Sequence, residues 1–122
     1  MPVYLLNEQP FFPPVHRADP SGLLAVGGDL SVQRLVTAYR HGIFPWYEEG
    51  DPILWWTPDP RLVLFPGKLK IAKSLRRTLK KGVFATTRNH DFPAVIHSCA
   101  TVPRAGQPGT WMTYQLTGAV VP

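Results

Sequence analysis

One stretch of the chain repeats its apolar residues with the period of an α-helix and carries end signals on both sides. A cap at Asp29 or Ser31 begins this predicted helix, and Gly42 ends it, because glycine adopts the left-handed conformation that commonly follows a helix. The apolar and polar side chains are predicted to lie on opposite faces, with Leu35, Val36 and Tyr39 on one and Gln33, Arg34 and Arg40 on the other.

A second helix is predicted from Lys70 to Lys81, with Ile71, Leu75 and Leu79 on its apolar face and Gly82 at its end. Its other face is entirely basic, with no acid between Gly67 and Gly82. The basic residues are Lys73, Arg76, Arg77, Lys80 and Lys81. An ordinary solvated face usually mixes charges, so this pattern favours contact with phosphate groups, while a solvated face stays the alternative.

Shorter patterns predict the remaining elements. A short apolar strand is predicted within Gly22–Asp29, and two more strands at Leu62–Phe65 and Val83–Arg88. Asp91 is predicted to cap a short helix that carries Phe92, Val95, Ile96 and Cys99. The last residues, Tyr114–Pro122, have neither a helical period nor a cap, and no element is predicted there.

Between these elements, residues 42–61 hold three of the four tryptophans and four prolines. Because proline fixes its own φ and restricts the residue before it, this segment is predicted to be an ordered aromatic loop and neither a helix nor a central strand. The run Ile53–Trp56 favours a buried strand end, which would bury Trp55 and Trp56. Trp46, on a turn beside acidic residues, is either a stacking surface or a core filler.

The fourth tryptophan, Trp111, follows Gly109, where a backbone without a side chain can approach a ligand closely. We predict that Trp46 and Trp111 are partly exposed and face one shared cleft. The acids Glu48, Glu49 and Asp51 could attract a cationic group.

Charge divides the chain into unlike halves. Residues 1–60 carry three basic and seven acidic side chains, and residues 61–122 carry ten basic side chains and one acid. A basic half of this kind favours a polyanionic partner, and nucleic acid over a membrane. The length of 122 residues allows one domain or two small ones.

Several classes of protein are disfavoured by what the sequence contains. Met1–Leu6 lacks the pattern of a signal peptide, and no apolar run approaches the length of a membrane span. Cys99 is the single cysteine, and no His/Cys pair has zinc-like spacing. We therefore expect a cytoplasmic protein with no membrane partner, no metal and no cofactor.

Four strings of residues resemble the leucyl/phenylalanyl-tRNA-protein transferases of bacteria. The strings are Gly22–Ser31, Tyr39–Trp46, Gly50–Arg61 and Gly109–Trp111, within a resemblance that extends from about Phe12 to Thr113. It implies an α+β fold, in which a small N-terminal α/β domain (residues 1–61) precedes the incomplete start of an acetyltransferase-like (GNAT) domain (residues 62–122). It also implies transfer of Leu, Phe or Met from aminoacyl-tRNA to acceptor proteins that begin with Arg or Lys, which marks them for degradation.

The candidate residues identified from the sequence have roles that fit the implied reaction. Trp46 and Trp111 would bind the terminal adenosine or the amino acid, and the five basic residues of the second helix would bind tRNA phosphates. In the family, the acid that recognises the acceptor lies elsewhere in the chain and is none of Glu48, Glu49 and Asp51. No acid or histidine of this chain is predicted to act as a base, since the family's catalytic motif lies beyond Pro122.

After Thr113 the sequence is expected to leave the family pattern, as a shortened reading frame would. We therefore expect a monomer that is an inactive or partial fragment of the transferase. A non-catalytic basic RNA-binding module and a nonfunctional truncated product are the alternatives.

Overall fold

The computed structural model describes residues 3–107 and 109–121. The chain divides into two compact units, Met1–Asp59 with Phe92–Pro122, and Pro60–Asp91. Helices and strands are both present, so the mixed α/β character expected from the sequence is confirmed. A domain boundary at Arg61 stays a prediction.

The sheet lies in the first unit and, within the described residues, contains four strands. They are β1 (Tyr4–Leu6), β2 (Leu23–Gly27), β3 (Phe44–Pro45) and β4 (Leu54–Trp56), in the spatial order β1-β2-β4-β3. β1 pairs in parallel with β2, whereas β4 is antiparallel to both β2 and β3. The strand predicted within Gly22–Asp29 is confirmed as β2.

β4 is a central strand, so the prediction that residues 42–61 contain none is wrong. Two of the four prolines that prompted that prediction, Pro52 and Pro58, flank β4 and leave its three N–H groups free to join the ladder. The proline that does enter the sheet, Pro45, lies in β3, an edge strand, where a missing N–H is tolerated.

The centre of the first unit is Trp55, which is fully buried on β4. Its indole N–H donates to the carbonyl of Gly27 over 2.9 Å, and the Phe12 ring meets it edge-on with 4.9 Å between ring centroids. The other buried apolar residues around it are Leu24, Ala25, Leu30, Leu35, Ala38, Ile43, Tyr47, Ile53 and Leu116. Burial of Trp55 was predicted correctly, whereas Trp56 is only partly buried.

The first predicted helix is confirmed as α1 (Val32–Arg40), and Ser31 is its cap, since its hydroxyl accepts a hydrogen bond from the Arg34 N–H. The predicted faces of α1 are wrong. Its buried residues are Arg34, Leu35 and Ala38, while Val36 and Tyr39 are 43% and 57% exposed.

Arg34 is buried because its guanidinium finds partners that the sequence pattern does not reveal. Nη2 donates to the Asn7 carbonyl, Nε donates to Asp29 over 3.3 Å, and the group lies 5.8 Å from the centroid of the Phe12 ring. Nη1 is buried with no partner among the described residues. Gly28 has φ +76° and passes so close that a Cβ there would lie 2.9 Å from the guanidinium carbon. Arg34 thus ties the N-terminal segment, the glycine turn and α1 together.

Two further helices belong to the first unit, α3 (Phe92–Thr101) and α4 (Tyr114–Val120). α3 was predicted, and Asp91 as its cap stays a prediction. α4 contradicts the expectation that no element follows Thr113. Thr113 caps it by accepting a hydrogen bond from the Leu116 N–H over 3.1 Å, and Leu116 is buried in the core. A single buried leucine is too weak a periodic signal to predict a helix of seven residues from the sequence.

The second unit, Pro60–Asp91, contains α2 (Lys73–Lys81), which confirms the predicted basic helix and ends at Gly82 in the left-handed conformation with φ +63°. The strands predicted at Leu62–Phe65 and Val83–Arg88 are wrong, since neither segment joins a sheet. Their β-branched and aromatic residues favour strands only when a neighbouring strand is available.

Candidate functional site

Trp46 and Trp111 line a shared pocket at the surface of the first unit. Their side chains are 55% and 41% exposed. The pocket has a volume of about 510 Å³ and is lined by Trp46, Glu48, Glu49, Gln107, Gly109, Thr110 and Trp111. A smaller recess of about 280 Å³ lies between Phe44 and the same two rings. The predicted exposure and the predicted shared cleft are confirmed, and we call this site the two-tryptophan pocket.

The sheet holds the backbone of Trp46 in place. The Trp46 N–H donates to the Leu54 carbonyl over 3.0 Å, and the Trp46 carbonyl accepts from the indole N–H of Trp56 over 2.7 Å. Both hydrogen bonds come from β4 and satisfy the main chain of Trp46. Its ring therefore extends from a rigid backbone at the end of β3.

The segment that carries Trp111 is fixed by the start of α4. Thr113 donates its N–H to the Trp111 carbonyl over 2.9 Å, and its hydroxyl donates to the Tyr47 hydroxyl over 3.1 Å. The Tyr47 hydroxyl in turn donates to Gln115 over 3.2 Å. Since Tyr47 follows Trp46 directly and Thr113 follows Trp111 by two residues, this network of hydrogen bonds joins the two walls of the pocket.

Two carboxylates that closely follow Trp46 in the sequence border the two-tryptophan pocket. Glu49 accepts a hydrogen bond from the Tyr114 N–H over 3.0 Å, at the positive end of α4. Glu48 lines the same pocket. The acidic flank predicted beside Trp46 is therefore confirmed for these two residues.

A second pocket, of about 540 Å³, opens elsewhere around the Trp46 ring. Its lining residues are Ser21, Phe44, Trp46, Tyr47, Glu48, Asp51, Leu54, Trp56 and Pro58. We call it the Trp46–Trp56 pocket. Sequence reasoning did not predict it, because Ser21 and Pro58 are brought to it by the pairing of β2 with β4.

Ser21 reaches this pocket on a tight turn organised by Asp19. The Asp19 carboxylate accepts from the Ser21 hydroxyl over 2.5 Å and from the N–H groups of Ser21 and Leu23 over 2.8 and 3.1 Å. Hydrogen bonding from the Ser21 hydroxyl, followed by that from the backbone, lowers the pKa of Asp19. Gly22 has φ +92°, and a Cβ there would meet Pro58 at 2.7 Å. The turn therefore packs directly against the pocket wall.

The Asp29 carboxylate has a similar role at the start of α1. It accepts from the Ser31 N–H over 2.9 Å and from Arg34. Hydrogen bonds from Ser31, and to a smaller extent the Arg34 guanidinium, lower the pKa of Asp29. This carboxylate belongs to the scaffold and lines neither pocket.

In the second unit, α2 brings all five predicted phosphate-binding residues together. Lys73, Arg76, Arg77, Lys80 and Lys81 line one surface depression of about 390 Å³. The apolar side of the helix is also open, with Leu75 and Leu79 51% and 58% exposed. These apolar side chains are therefore only partly covered.

Among residues 3–107 and 109–121, no group of three or more His, Cys, Asp or Glu side chains is arranged to hold a metal ion. None of the helices in the described part of the chain has the length and apolar character needed to cross a membrane. Cys99 is exposed and carries a free thiol.

The sequence is similar to that of protein-modifying transferases that use tRNA. A family model described as leucyl/phenylalanyl-tRNA protein transferase N-terminal domain matches residues 28–59, and one described as leucyl/phenylalanyl-tRNA protein transferase matches residues 63–121. The chain belongs to the leucyl/phenylalanyl-tRNA protein transferase family. The resemblance described from the sequence is thereby confirmed.

Relatives named leucyl/phenylalanyl-tRNA–protein transferase are similar over most of this chain. The protein of Syntrophobacter fumaroxidans is 60% identical over 112 residues, which are 92% of this chain and 48% of the relative. That of Solidesulfovibrio magneticus is 56% identical over 112 residues, 92% of this chain and 45% of the relative. That of Myxococcus xanthus is 53% identical over 123 residues, 99% of this chain and 53% of the relative. The chain thus spans about half the length of the relatives it matches.

These comparisons correct one expectation about residues 114–122. The family model matches as far as residue 121, so the family pattern does not stop at Thr113. The fold gives the physical reason, because α4 contributes Leu116 to the core of the first unit. Residues 114–121 are therefore part of the family pattern.

Proposed function

We propose that this chain forms the aminoacyl-tRNA-binding part of a transferase that moves Leu, Phe or Met from tRNA to acceptor proteins beginning with Arg or Lys. The observation that carries the proposal is the pocket shared by Trp46 and Trp111 in a chain that belongs to this family. By the same proposal the protein acts in the cytoplasm as a monomer.

The reaction exchanges an ester for an amide. The α-amine of the acceptor attacks the carbonyl carbon of the aminoacyl ester, a C–N bond forms, and the C–O bond to the terminal ribose breaks. The amine loses a proton and the ribose hydroxyl gains one. Since the ester is already activated, the reaction needs neither ATP nor a metal, and positioning of the two substrates supplies much of the rate enhancement.

The two-tryptophan pocket suits the aminoacyl-adenosine end of such a substrate. Exposed rings on a rigid backbone provide stacking surfaces for adenine or for an apolar amino-acid side chain. A volume of about 510 Å³ is within the usual range of small-molecule sites. Trp46 and Trp111 are accordingly the proposed substrate-binding residues.

The basic face of α2 suits the phosphate backbone of tRNA. The lysines and arginines that line its depression can each neutralise a phosphate, and release of counterions makes such binding favourable at low salt. Lys73, Arg76, Arg77, Lys80 and Lys81 are the proposed tRNA-binding residues.

At the level of domains, we propose that residues 1–61 form the N-terminal domain and that residues 62–122 begin a GNAT-like domain. The two family matches, which end at residue 59 and begin at residue 63, support the first boundary. The acetyltransferase-like fold of the second part rests on the family resemblance alone.

A chimera tests the proposed function. This chain replaces the matching residues of the Myxococcus xanthus relative, and the product is incubated with labelled Leu-tRNA and a peptide that begins with Arg. We expect label to appear in this peptide and not in one that begins with Glu. A chimera that unfolds cooperatively on heating yet transfers no label would contradict the proposal, and so would transfer unaffected by Trp46→Ala and Trp111→Ala.

A second candidate function is a non-catalytic RNA-binding module, which the clustering of five basic side chains on α2 favours. The two functions differ in the part played by the tryptophans. An RNA-binding module would keep full tRNA affinity, measured by filter binding over a salt series, when both Trp46 and Trp111 are alanine and whether or not the tRNA is aminoacylated.

A further inference from the structure

We propose that the Trp46–Trp56 pocket binds a small quaternary ammonium ion, a positively charged nitrogen surrounded by methyl groups as in free choline. Aromatic rings and two carboxylates line the pocket, and rings of this kind attract a cation while they cover its methyl groups. The inference goes beyond the proposed transfer reaction, because such an ion is neither a substrate nor a product of it.

The walls of the pocket match the apolar surface of this ion. Phe44, Trp46 and Trp56 contribute rings, and Leu54 and Pro58 contribute aliphatic surface. The face of an aromatic ring is electron-rich and attracts a cation, more strongly once water is displaced from between them. The methyl groups of the ion can contact the aliphatic surface at the same time. One ligand group thus uses both kinds of wall.

The charges of the pocket select a cation over an anion. Glu48 and Asp51 are exposed at the pocket, and among its described lining residues no lysine, arginine or histidine accompanies them. A quaternary ammonium group also occurs in the choline headgroup of lipids, but the phosphate attached to it there would be repelled by both carboxylates. The free ion is therefore the better match.

The hydrogen bonds of the lining residues favour a quaternary over a primary ammonium group. The Ser21 hydroxyl already donates to Asp19, and the Tyr47 hydroxyl is bonded to both Gln115 and Thr113. A primary ammonium has three N–H donors, and among rings and aliphatic groups it would lose water without full replacement. A quaternary ammonium has no N–H group and therefore loses no hydrogen bond on entry.

The pocket is formed before any ligand arrives. The indole N–H of Trp56 donates to the Trp46 carbonyl, which fixes the two residues against each other. The acidic turn is closed by the Asp51 N–H, which donates to the Glu48 carbonyl over 3.1 Å, and Gly50 at φ +91° completes it. A preformed pocket loses little conformational entropy on binding, so a small ion can bind measurably.

Three of the tryptophan indoles provide the reporters for a test. Trp56 lines this pocket and not the two-tryptophan pocket, Trp111 lines the two-tryptophan pocket and not this one, and Trp55 is buried with its N–H bonded to Gly27. Their indole N–H signals are assigned by single Trp→Phe variants. Choline is then titrated into the purified chain.

Three related compounds separate the features of choline. Dimethylbutanol, in which a carbon replaces the nitrogen, has nearly the same shape and no charge. Ethanolamine has the charge and no methyl groups. Phosphocholine adds the phosphate of the lipid headgroup. Comparison of the four titrations shows whether shape, charge or both are recognised, and whether the ion binds as the free form.

We expect the Trp56 signal to shift and to saturate in roughly the millimolar range with choline, while Trp55 and Trp111 stay in place. The three related compounds should each bind several-fold more weakly. Glu48→Gln with Asp51→Asn should weaken choline binding about three- to tenfold, and an unchanged Trp55 signal checks that this variant is folded.

The matched control, Glu8→Gln with Asp91→Asn, removes the same charge from exposed residues outside the pocket and should leave choline binding unchanged. Equal weakening by both pairs of substitutions would overturn the proposal, and so would a shift of Trp111 alone. Binding of dimethylbutanol or ethanolamine as tight as that of choline would also contradict it, because a quaternary ammonium would then not be recognised as such.

Binding of phosphocholine as tight as that of choline would overturn the assignment to a free ion. A failure of the transfer chimera would leave the choline titration unaffected, so the two proposals are tested separately.

Discussion

The hydroxyl of Thr113 donates to the hydroxyl of Tyr47 over 3.1 Å, although 66 residues separate the two in sequence. Both side chains are only 4% exposed. The hydrogen bond joins the turn that carries Trp46 to the segment that carries Trp111. It therefore couples the stability of the first unit to the shape of the two-tryptophan pocket.

Replacing Tyr47 by Phe should reduce the free energy of unfolding by about 1–3 kcal/mol, because the buried Thr113 hydroxyl loses its hydrogen-bond acceptor. Urea unfolding measures the change. Tyr114→Phe is the matched control, since Tyr114 is 89% exposed and should change stability by less than about 0.5 kcal/mol. Equal effects of the two substitutions would mean that the network contributes nothing.

Trp46→Ala should weaken binding of an amide-linked phenylalanyl-adenosine analogue about tenfold, and Trp111→Ala should have a similar effect. The reason is that stacking of a base on one aromatic ring contributes about 1–3 kcal/mol. Binding is followed by the indole signal of the remaining ring. Tyr39→Ala removes a comparably exposed ring from α1 and should have no effect, so an equal loss there would argue against a specific pocket.

Replacing Arg76 and Arg77 together by Ala should weaken tRNA binding and flatten its salt dependence by about one unit of slope per lost phosphate contact. Filter binding over a salt series measures both quantities. The control variant replaces Arg17 and Arg40 together by Ala, which removes the same charge from the first unit. A slope that stays the same in the α2 variant would exclude phosphate contacts by these two residues.

Acid should weaken the turn that supports the Trp46–Trp56 pocket. Because hydrogen bonds in the folded state lower the pKa of Asp19 below its ordinary value of 3.8, the folded chain binds fewer protons there than the unfolded chain. The stabilisation is complete above that value and is lost as the pH falls through the lower, folded pKa. The stability advantage over Asp19→Asn should thus shrink as urea unfolding is repeated from about pH 7 to about pH 2. Asp59→Asn is the control, and an advantage that grows in acid would contradict the assignment.

The features that could be predicted from the sequence are those set by interactions between residues close together in the chain. Ser31 and Gly82 end their helices through hydrogen bonds and backbone angles set within a few residues, so α1 and α2 were predictable. Arg34 is buried by partners at Asn7 and Phe12, more than twenty residues away, and no periodic pattern contains that information.

The same distinction between local and long-range interactions applies to the candidate site. The glycine and proline beside Trp46 and the glycine before Trp111 indicated exposed rings. The position of Glu48 and Glu49 beside Trp111 depends on α4, which was not predicted and which Glu49 helps to hold at Tyr114. Tertiary contacts between distant segments thus decide the chemistry that surrounds the rings.

The apolar surface of the second unit bears on whether this chain acts alone. Leu62, Leu64 and Phe65 are 100%, 69% and 60% exposed, and the apolar side of α2 is open as well. Exposed apolar side chains in this number favour association or loose packing. We expect the chain to bind the dye ANS and to show lower hydrogen-exchange protection in Pro60–Asp91 than in β2 and β4. Strong protection of α2 would contradict this expectation.

The last prediction is that this chain by itself does not transfer an amino acid. Transfer requires the ester and the amine to be held in line and the amine to be deprotonated, whereas the two-tryptophan pocket is an open surface site. Of its two carboxylates, Glu49 is engaged at the Tyr114 N–H, which leaves Glu48 as the acid best placed to accept a proton. The test incubates the purified chain with labelled Leu-tRNA or Phe-tRNA and a peptide that begins with Arg, and no label should reach the peptide. If label does appear, the variants Glu48→Gln and Glu49→Gln show where the transfer activity comes from. Loss of transfer in the Glu48 variant alone would identify Glu48 as the base. Unchanged transfer in both variants would point to a contaminating enzyme.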